Sequence, residues 1–301
     1  MTFGETLLSE SELPYGGGTE VMRPARPLLA RVADATYWMA RYMERAEQVA
    51  RNLLVNLDLL TDVGDMAPEL RRRIWRSVLQ LTDLDAPLPE AEGAETNDSE
   101  ADLDRVITEQ MTLSTDNPNS IMSCLTQARE NARSVRETIS NEMWESLNTL
   151  YLEMKSEEMR GRFEESPIEI YRLILRGTLL FQGLTEQTIS HGQLWSFAQL
   201  GRYMERIDMT CRILETRSQV LKDAEDSLET PLRNIHWMAV LRACGALEGY
   251  RRMHGGGGEM EPLRIAGFMI FEPRFPRTLR YAVRHAQQCV GRIGADVGMA
   301  A

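Results

Sequence analysis

The stretch Arg41-Tyr42-Met43-Glu44-Arg45 occurs twice in this chain. Its second copy is Arg202-Tyr203-Met204-Glu205-Arg206, 161 positions later (202 − 41). Two further pairs follow in the same order, Trp75 with Trp237 and Pro118 with Pro276. Ordered pairs at nearly constant spacing indicate one ancestral half that was duplicated. We therefore expect two half-bundles that share a core and are related by a pseudo-two-fold axis.

The residues around the first copy have the spacing of an α-helix. At about 100° per residue, the apolar side chains between Tyr42 and Leu57 form one stripe, which must pack against a core. Helical periodicity dominates the rest of the chain, and strand-like alternation is almost absent. We predict an all-α helical bundle of about ten helices. Their predicted spans are 28–61, 68–82, 100–113, 119–138, 140–160, 167–190, 193–226, 231–253, 261–270 and 277–293.

The charged side of the repeated helix differs less between the two copies than its apolar side. Every charge of Arg41, Glu44, Arg45, Glu47 and Arg51 has a counterpart in the second copy, whereas Ala46 becomes Ile207 and Val49 becomes Thr210. Three interpretations remain open. The face is solvated, or it is a buried Arg–Glu network that holds the halves in register, or it is a ligand site.

As a ligand site, the repeated motif would place carboxylates beside guanidinium clamps. Glu44 and Glu205 are the candidate catalytic residues, as general acid and base. The candidate substrate-binding residues are Arg41, Arg45, Arg202, Arg206, Arg129, Arg133, Arg136, Asn131 and Arg277. Arg129, Arg133 and Arg136 share a helix face that would form a second wall, and Arg277 precedes the last predicted helix. The four histidines stand in no metal-binding motif, and we predict no metal site.

The formal net charge of −11 is unevenly distributed. Nine acidic residues and no Lys or Arg lie between Asp83 and Asp104. We predict a mobile acidic loop at 83–104 and a flexible N-terminal extension at 1–26. Residues 27–301 would then form a single duplicated domain, with half one at about 27–138, linking helices at 140–190, and half two at about 193–295.

The cysteines and the hydropathy of the chain predict where it acts. The four cysteines are scattered without a Cys-x-x-Cys pair and are typical of reduced residues in a cytoplasmic protein. No apolar stretch approaches the ~20 residues that span a membrane, and no signal peptide is visible. We expect a cytoplasmic protein that binds neither membrane nor nucleic acid.

The run from Leu29 to Glu47 strongly resembles the opening of the bacterial alpha-E family. The second Glu-Arg motif at 201–206, the stretch 120–148 and the segment Phe275-Pro276-Arg277-Thr278 are also similar to that family. The resemblance covers about residues 27–295. It departs mildly at Thr278, where the family usually has Ser.

The resemblance implies a context more than a mechanism. Alpha-E proteins are typically encoded beside, or fused to, a circularly permuted ATP-grasp ligase and often a transglutaminase-like peptidase. We therefore expect an accessory protein of a peptide or amide ligase system that binds the ligase or a peptide-like substrate, with ATP and Mg on the ligase and no cofactor on this chain. One alternative is a stand-alone enzyme using Glu44 and Glu205; another is a purely structural helical interaction protein.

Overall fold

The computed structural model describes residues 28–63, 68–81, 97–223, 230–255 and 260–296, and within these ranges it contains twelve α-helices and no strand. The predicted all-α class is confirmed. The helices are α1 (Ala30–Val63), α2 (Pro68–Gln80), α3 (Asn97–Thr112), α4 (Ile121–Ser134), α5 (Asn141–Lys155), α6 (Glu157–Glu165), α7 (Pro167–Thr188), α8 (Gln193–Asp223), α9 (Thr230–Ala243), α10 (Leu247–His254), α11 (Pro262–Phe271) and α12 (Leu279–Asp296).

Two predicted helices are each divided into two. Ser156 interrupts the predicted helix 140–160, since its extended backbone ends α5 and its hydroxyl accepts from the backbone N–H of Met159 in the first turn of α6. Gly245 interrupts the predicted helix 231–253 with a φ of 60°, which residues other than glycine rarely adopt. These breaks explain why there are more helices than the sequence predicted.

The two helices that carry the repeated motif, α1 and α8, lie side by side at the centre of the fold. They run in the same direction, because their contacts advance together along both chains, from Arg41 with Glu205 to Asn56 with Arg217. Around them, α4 packs on α1 and α12 packs on α8. The second helix of each predicted half packs across, α2 on α8 and α9 on α1.

Helix α1 is buried on more than its apolar stripe. Met43 and Leu53 belong to the main core as predicted. On the other side, Glu44, Gln48 and Asn56 are also buried, because α8 covers that side. A helix with polar residues buried against a neighbour must satisfy them there, which is where the site lies.

Matched contacts at the starts of α4 and α12 favour the predicted duplication. The hydroxyl of Ser120 donates to the carbonyl of Ser114 (2.5 Å), and that of Thr278 donates to the carbonyl of Glu272 (2.5 Å). In both cases the acceptor lies six residues upstream. The Thr278 hydroxyl thus does what Ser120 does in the first half, although the duplication itself stays a prediction.

Several sequence-based predictions fall partly outside the described residues. The extension 1–26 and residues 83–96 are among these. Helix α3 begins at Asn97, so the acidic loop predicted to end at residue 104 can reach at most residue 96. Asp104 lies in α3, where its carboxylate accepts from Arg71 Nη1 (2.8 Å) and Trp75 Nε1 (2.6 Å).

The cysteines and the hydropathy of the helices can be checked directly. All four cysteines are free thiols; Cys124, Cys244 and Cys289 are buried, whereas Cys211 is exposed. None of the helices in the described ranges combines the length and the apolar character needed to cross a membrane.

Candidate functional site

Glu44 lies at the α1–α8 contact and is completely buried. Its carboxylate accepts two hydrogen bonds from Arg206, from Nε (2.7 Å) and Nη2 (2.9 Å), which is the paired geometry that carboxylates and guanidinium groups prefer. A third bond comes from Gln182 Nε2 on α7 (2.9 Å). Arg277 Nη1 lies 3.8 Å away and adds a second positive charge.

Glu205 lies at the corresponding position of α8 and is also completely buried. It accepts from Arg45 Nε (2.5 Å) and Nη2 (3.0 Å), and from Arg41 Nε (2.6 Å). Arg45 then donates through Nη1 to Asn119 Oδ1 (2.7 Å), just before α4. In the other half, Arg206 donates through Nη1 to the carbonyl of Pro276 (3.2 Å), just before α12.

The two copies of the motif therefore bind each other reciprocally. Each glutamate pairs with the motif arginine of the other half, Glu44 with Arg206 and Glu205 with Arg45. Of the three interpretations of the charged face, this geometry supports the buried network that holds the halves in register. We call Glu44, Glu47, Glu205 and the arginines bound to them the carboxylate network.

The carboxylate network is a poor acid–base catalyst as it stands. Burial alone would raise the pKa of Glu44, but the charges of Arg206, Arg277 and Arg202 outweigh it and lower that pKa to about 2. A carboxylate held ionised by two or more arginines neither donates nor accepts a proton readily near neutral pH. Glu205 is held by the same kind of contacts, with Arg41 and Arg45.

A side branch of the network joins α1 to the segment before α12. Glu47 Oε1 accepts from Arg51 on the same helix and from Arg277 Nη2 (2.9 Å). Burial and the neighbouring Arg206 and Arg51 lower the pKa of Arg277, against the charges of Glu47 and Glu44. Arg277 is thus brought to the predicted site, but its first ligand is a carboxylate of the protein.

The second wall predicted from α4 lies elsewhere. Arg129 donates to Asn148 Oδ1 (2.8 Å), and its guanidinium lies over the rings of Trp144 and Tyr151 on α5. The other members also make their contacts within α4 or at the start of α5: Arg133 with Glu130, Arg136 with Asn141, and Asn131 with the carbonyl of Gln127. These four residues stabilise the α4–α5 pair and do not meet the carboxylate network.

The two halves differ at one point of the network. Arg41 donates its Nε to Glu205, but the equivalent residue, Arg202, does not reach Glu44. Gln182 of α7 donates to Glu44 instead, and the Nε of Arg202 has no hydrogen-bond acceptor. Helix α7, which belongs to the predicted linking segment, therefore breaks the symmetry and releases Arg202.

Arg202 lies in a cleft of about 740 Å³ between α7, α8 and α12, which we call the arginine cleft. Its lining includes four arginines (Arg202, Arg206, Arg277 and Arg292) and a single glutamate, Glu186. Its aromatic lining comprises Trp195, Tyr203 and Tyr281, with His191 stacked on Trp195 and His285 stacked on Tyr281. A second donor there, Arg277 Nη1, also has no hydrogen-bond acceptor.

Sequence reasoning missed three parts of this region. Gln182 and the α7 wall carry no motif that could have revealed them. Asn119 lies inside the repeated Pro-x-Ser/Thr motif. Buried Arg217, whose guanidinium donates to Asn56, stands 161 residues after it, which is the spacing of the repeat. That shared spacing was the available signal for the last pair.

No group of three or more His, Cys, Asp or Glu side chains is arranged for metal binding in the part of the chain that the structure describes. Chemically, the cleft offers guanidinium donors, two imidazoles and aromatic faces. These groups suit an anionic ligand with an apolar or planar part.

Comparisons with known proteins agree with this motif. Residues 28–300 match the model of the Alpha-E family, described as a predicted alpha-helical domain with a conserved ER motif. In this chain Glu is followed directly by Arg at two places only, Glu44-Arg45 and Glu205-Arg206.

The chain is also similar to uncharacterized proteins of Mycobacterium bovis and Mycobacterium tuberculosis. It is 26% identical to each over 267 residues, covering 83% of this chain and 28% of the relative. It therefore spans little more than a quarter of the length of these relatives. No solved structure matches the chain. With its whole helical body matched and its two Glu-Arg motifs at the centre of the fold, the chain belongs to the Alpha-E family.

Proposed function

We propose that this chain is the binding component of a peptide or amide ligase system and that it holds a carboxylate-bearing, peptide-like ligand in the arginine cleft. The observation that carries the proposal is the asymmetry between the halves. Arg41 is neutralised by Glu205, whereas Arg202 is displaced by Gln182 and lines a cleft with donors that lack acceptors.

A ligand carboxylate would relieve this imbalance. Buried N–H donors without acceptors cost about 1–3 kcal/mol each, and a carboxylate supplies up to four acceptor sites. The cleft volume of about 740 Å³ is also in the range of small-molecule sites.

An accessory role is supported by two facts. The glutamates of the motif are buried and saturated with arginines, so they are not free to act on a substrate. In the mycobacterial relatives, the matching region is only 28% of a longer chain, so there the domain works as part of a larger protein. The ATP-grasp partner itself is inferred from the resemblance described above.

Ligand binding is tested by calorimetric titration with a short N-acetylated peptide and with its C-terminal amide. We expect the free carboxylate to bind and the amide to bind about tenfold more weakly or worse. Arg202→Gln should weaken binding of the carboxylate by at least a similar factor. The matched control is Arg133→Gln, since Arg133 lies on α4 outside the cleft.

Equal binding of peptide and amide, or an equal loss in the Arg133 variant, would remove the basis for a carboxylate site. The accessory role is checked separately by phosphate release from an ATP-grasp ligase of the same genome, with and without this chain. Stimulation is expected. Turnover by the isolated chain that is lost in Glu44→Gln would favour the stand-alone enzyme instead.

A further inference from the structure

A second concave surface lies between α5 and α7 and takes no part in the carboxylate network or the arginine cleft. Its volume is about 580 Å³. The two helices run antiparallel, since the hydroxyls of Ser140 and Thr188 meet at one end (2.6 Å) and Leu150 lies beside Gly177 further along. We call this surface the α5/α7 groove.

The α7 wall of the groove is apolar. It is built from Leu173, Gly177, Leu180 and Leu184, which recur at the spacing of one helix face. Leu180 is 56% exposed, an unusual state for a large aliphatic side chain. Gly177 keeps the middle of the wall open, because a Cβ there would meet Leu150 Cδ2 at 2.9 Å.

The α5 wall is acidic. It presents Glu142, Glu145 and Glu153, all exposed and all without an ion-pair partner among the described residues. Arg176 is the only basic residue in the lining. An apolar strip beside a row of unpaired carboxylates fits a partner that has an apolar face flanked by positive charge.

The length of the groove defines the shape of that partner. From Glu142 to Glu153 the α5 wall rises by roughly 16 Å, about three helical turns at 1.5 Å per residue. The leucines of α7 cover the same number of turns. Helices that bind in grooves use anchors three or four residues apart over about this length.

We propose that the α5/α7 groove binds an amphipathic helix of about three turns, with leucine-like anchors on one face and Lys or Arg along the edge that faces α5, supplied by a partner protein. The proposal goes beyond the ligand of the arginine cleft and does not depend on it. A protein helix matches both walls at once, whereas a small ligand would use only part of the groove.

The test uses a synthetic amphipathic peptide of about 15 residues, long enough to form a helix, with leucines on one face and lysines on the flank. A scrambled peptide of the same composition has its leucines spread around the helix. Binding of each to the full chain is followed by fluorescence anisotropy at low and physiological salt. We expect the patterned peptide to bind at least about tenfold more tightly than the scrambled one, a difference of about 1.4 kcal/mol.

Two variants separate the walls. Glu142→Gln/Glu145→Gln/Glu153→Gln should weaken binding of the patterned peptide at least about tenfold and reduce its salt dependence. The control Glu158→Gln/Glu164→Gln/Glu165→Gln removes the same charge from α6 and should leave binding unchanged. Leu180→Ser should weaken binding at both salt concentrations, and because Leu180 is exposed this variant should fold normally.

Three outcomes would overturn the proposal. Equal binding of both peptides would mean nonspecific attraction to acidic protein. An equal loss in the α6 control would place the peptide elsewhere. Sedimentation of the wild type as a dimer that Leu180→Ser converts to monomer would make a second copy of this chain the occupant.

Discussion

At the residue scale, the central feature is a pair of completely buried glutamates whose charges are met by arginines of the opposite half. Both glutamates lie in a repeated motif, so the sequence alone could predict that these residues act together. It could not predict which arginine each would bind. The sequence also gave no indication that Gln182 would replace Arg202 at Glu44, because Gln182 lies in the linking segment, outside the repeat.

The pKa of Glu44 makes a prediction about acid stability. Its arginine neighbours lower that pKa from 4.5 to about 2 in the folded protein. A carboxyl group whose folded pKa is lowered stabilises the fold above its unfolded pKa and loses this contribution as the pH falls towards the folded pKa. We therefore expect Glu44 to contribute about 3 kcal/mol above pH 4.5 and progressively less down to about pH 2.

Urea unfolding of wild type and Glu44→Gln between pH 7 and pH 2 measures this contribution. The difference in unfolding free energy between the two proteins should shrink below pH 4.5. Comparing the proteins is necessary because buried His236, whose pKa is lowered to about 3, also reduces wild-type stability in acid. A difference that stays constant over the whole pH range would contradict the assigned role of Glu44.

At the element scale, the contact between α1 and α8 is set by a small residue. A Cβ built on Gly201 would lie 2.2 Å from the carbonyl oxygen of Tyr37. The backbones of the two helices therefore meet there without a side chain between them. This close approach brings the motif arginines within reach of the opposite glutamates, and Gly201 stands just before the second copy of the motif.

Gly201→Ala should destabilise the protein by about 1–3 kcal/mol, since the helices must separate to admit a methyl group. Gly161→Ala on α6 is the matched control, because nothing lies within 4 Å of a Cβ there. That control should be neutral or stabilising by up to about 1 kcal/mol. Thermal unfolding of both variants checks the prediction, and equal effects would show that the contact at Gly201 is not tight.

Element boundaries show what periodicity can and cannot predict. The long helices α1 and α8 were predicted within a few residues, because their apolar stripes are continuous. The break at Ser156 was missed because the apolar pattern continues through it, and only the capping hydroxyl marks it. The break at Gly245 depends on a positive φ that becomes evident only beside Arg277 and Arg51, which leave no room for a side chain.

At the scale of the whole molecule, the two halves are joined through their first helices. α1 and α8 exchange ion pairs, α2 packs on α8, and α9 packs on α1. The repeat predicted the shared core, but not the placement of α7, which closes one side of the network and forms a wall of the arginine cleft. The candidate site is therefore asymmetric although the motif is symmetric.

The central claim is that the carboxylate network joins the halves and is not itself a catalytic site. A double-mutant cycle tests it most directly, using the unfolding free energies at pH 7 of wild type, Glu44→Gln, Arg206→Met and the double variant. We predict that each single change costs about 3 kcal/mol or more, because it leaves a buried charge without its partner. The double variant should cost clearly less than the sum of the two. Single variants as stable as wild type, with additive effects, would contradict the account and return Glu44 to the candidates for catalysis.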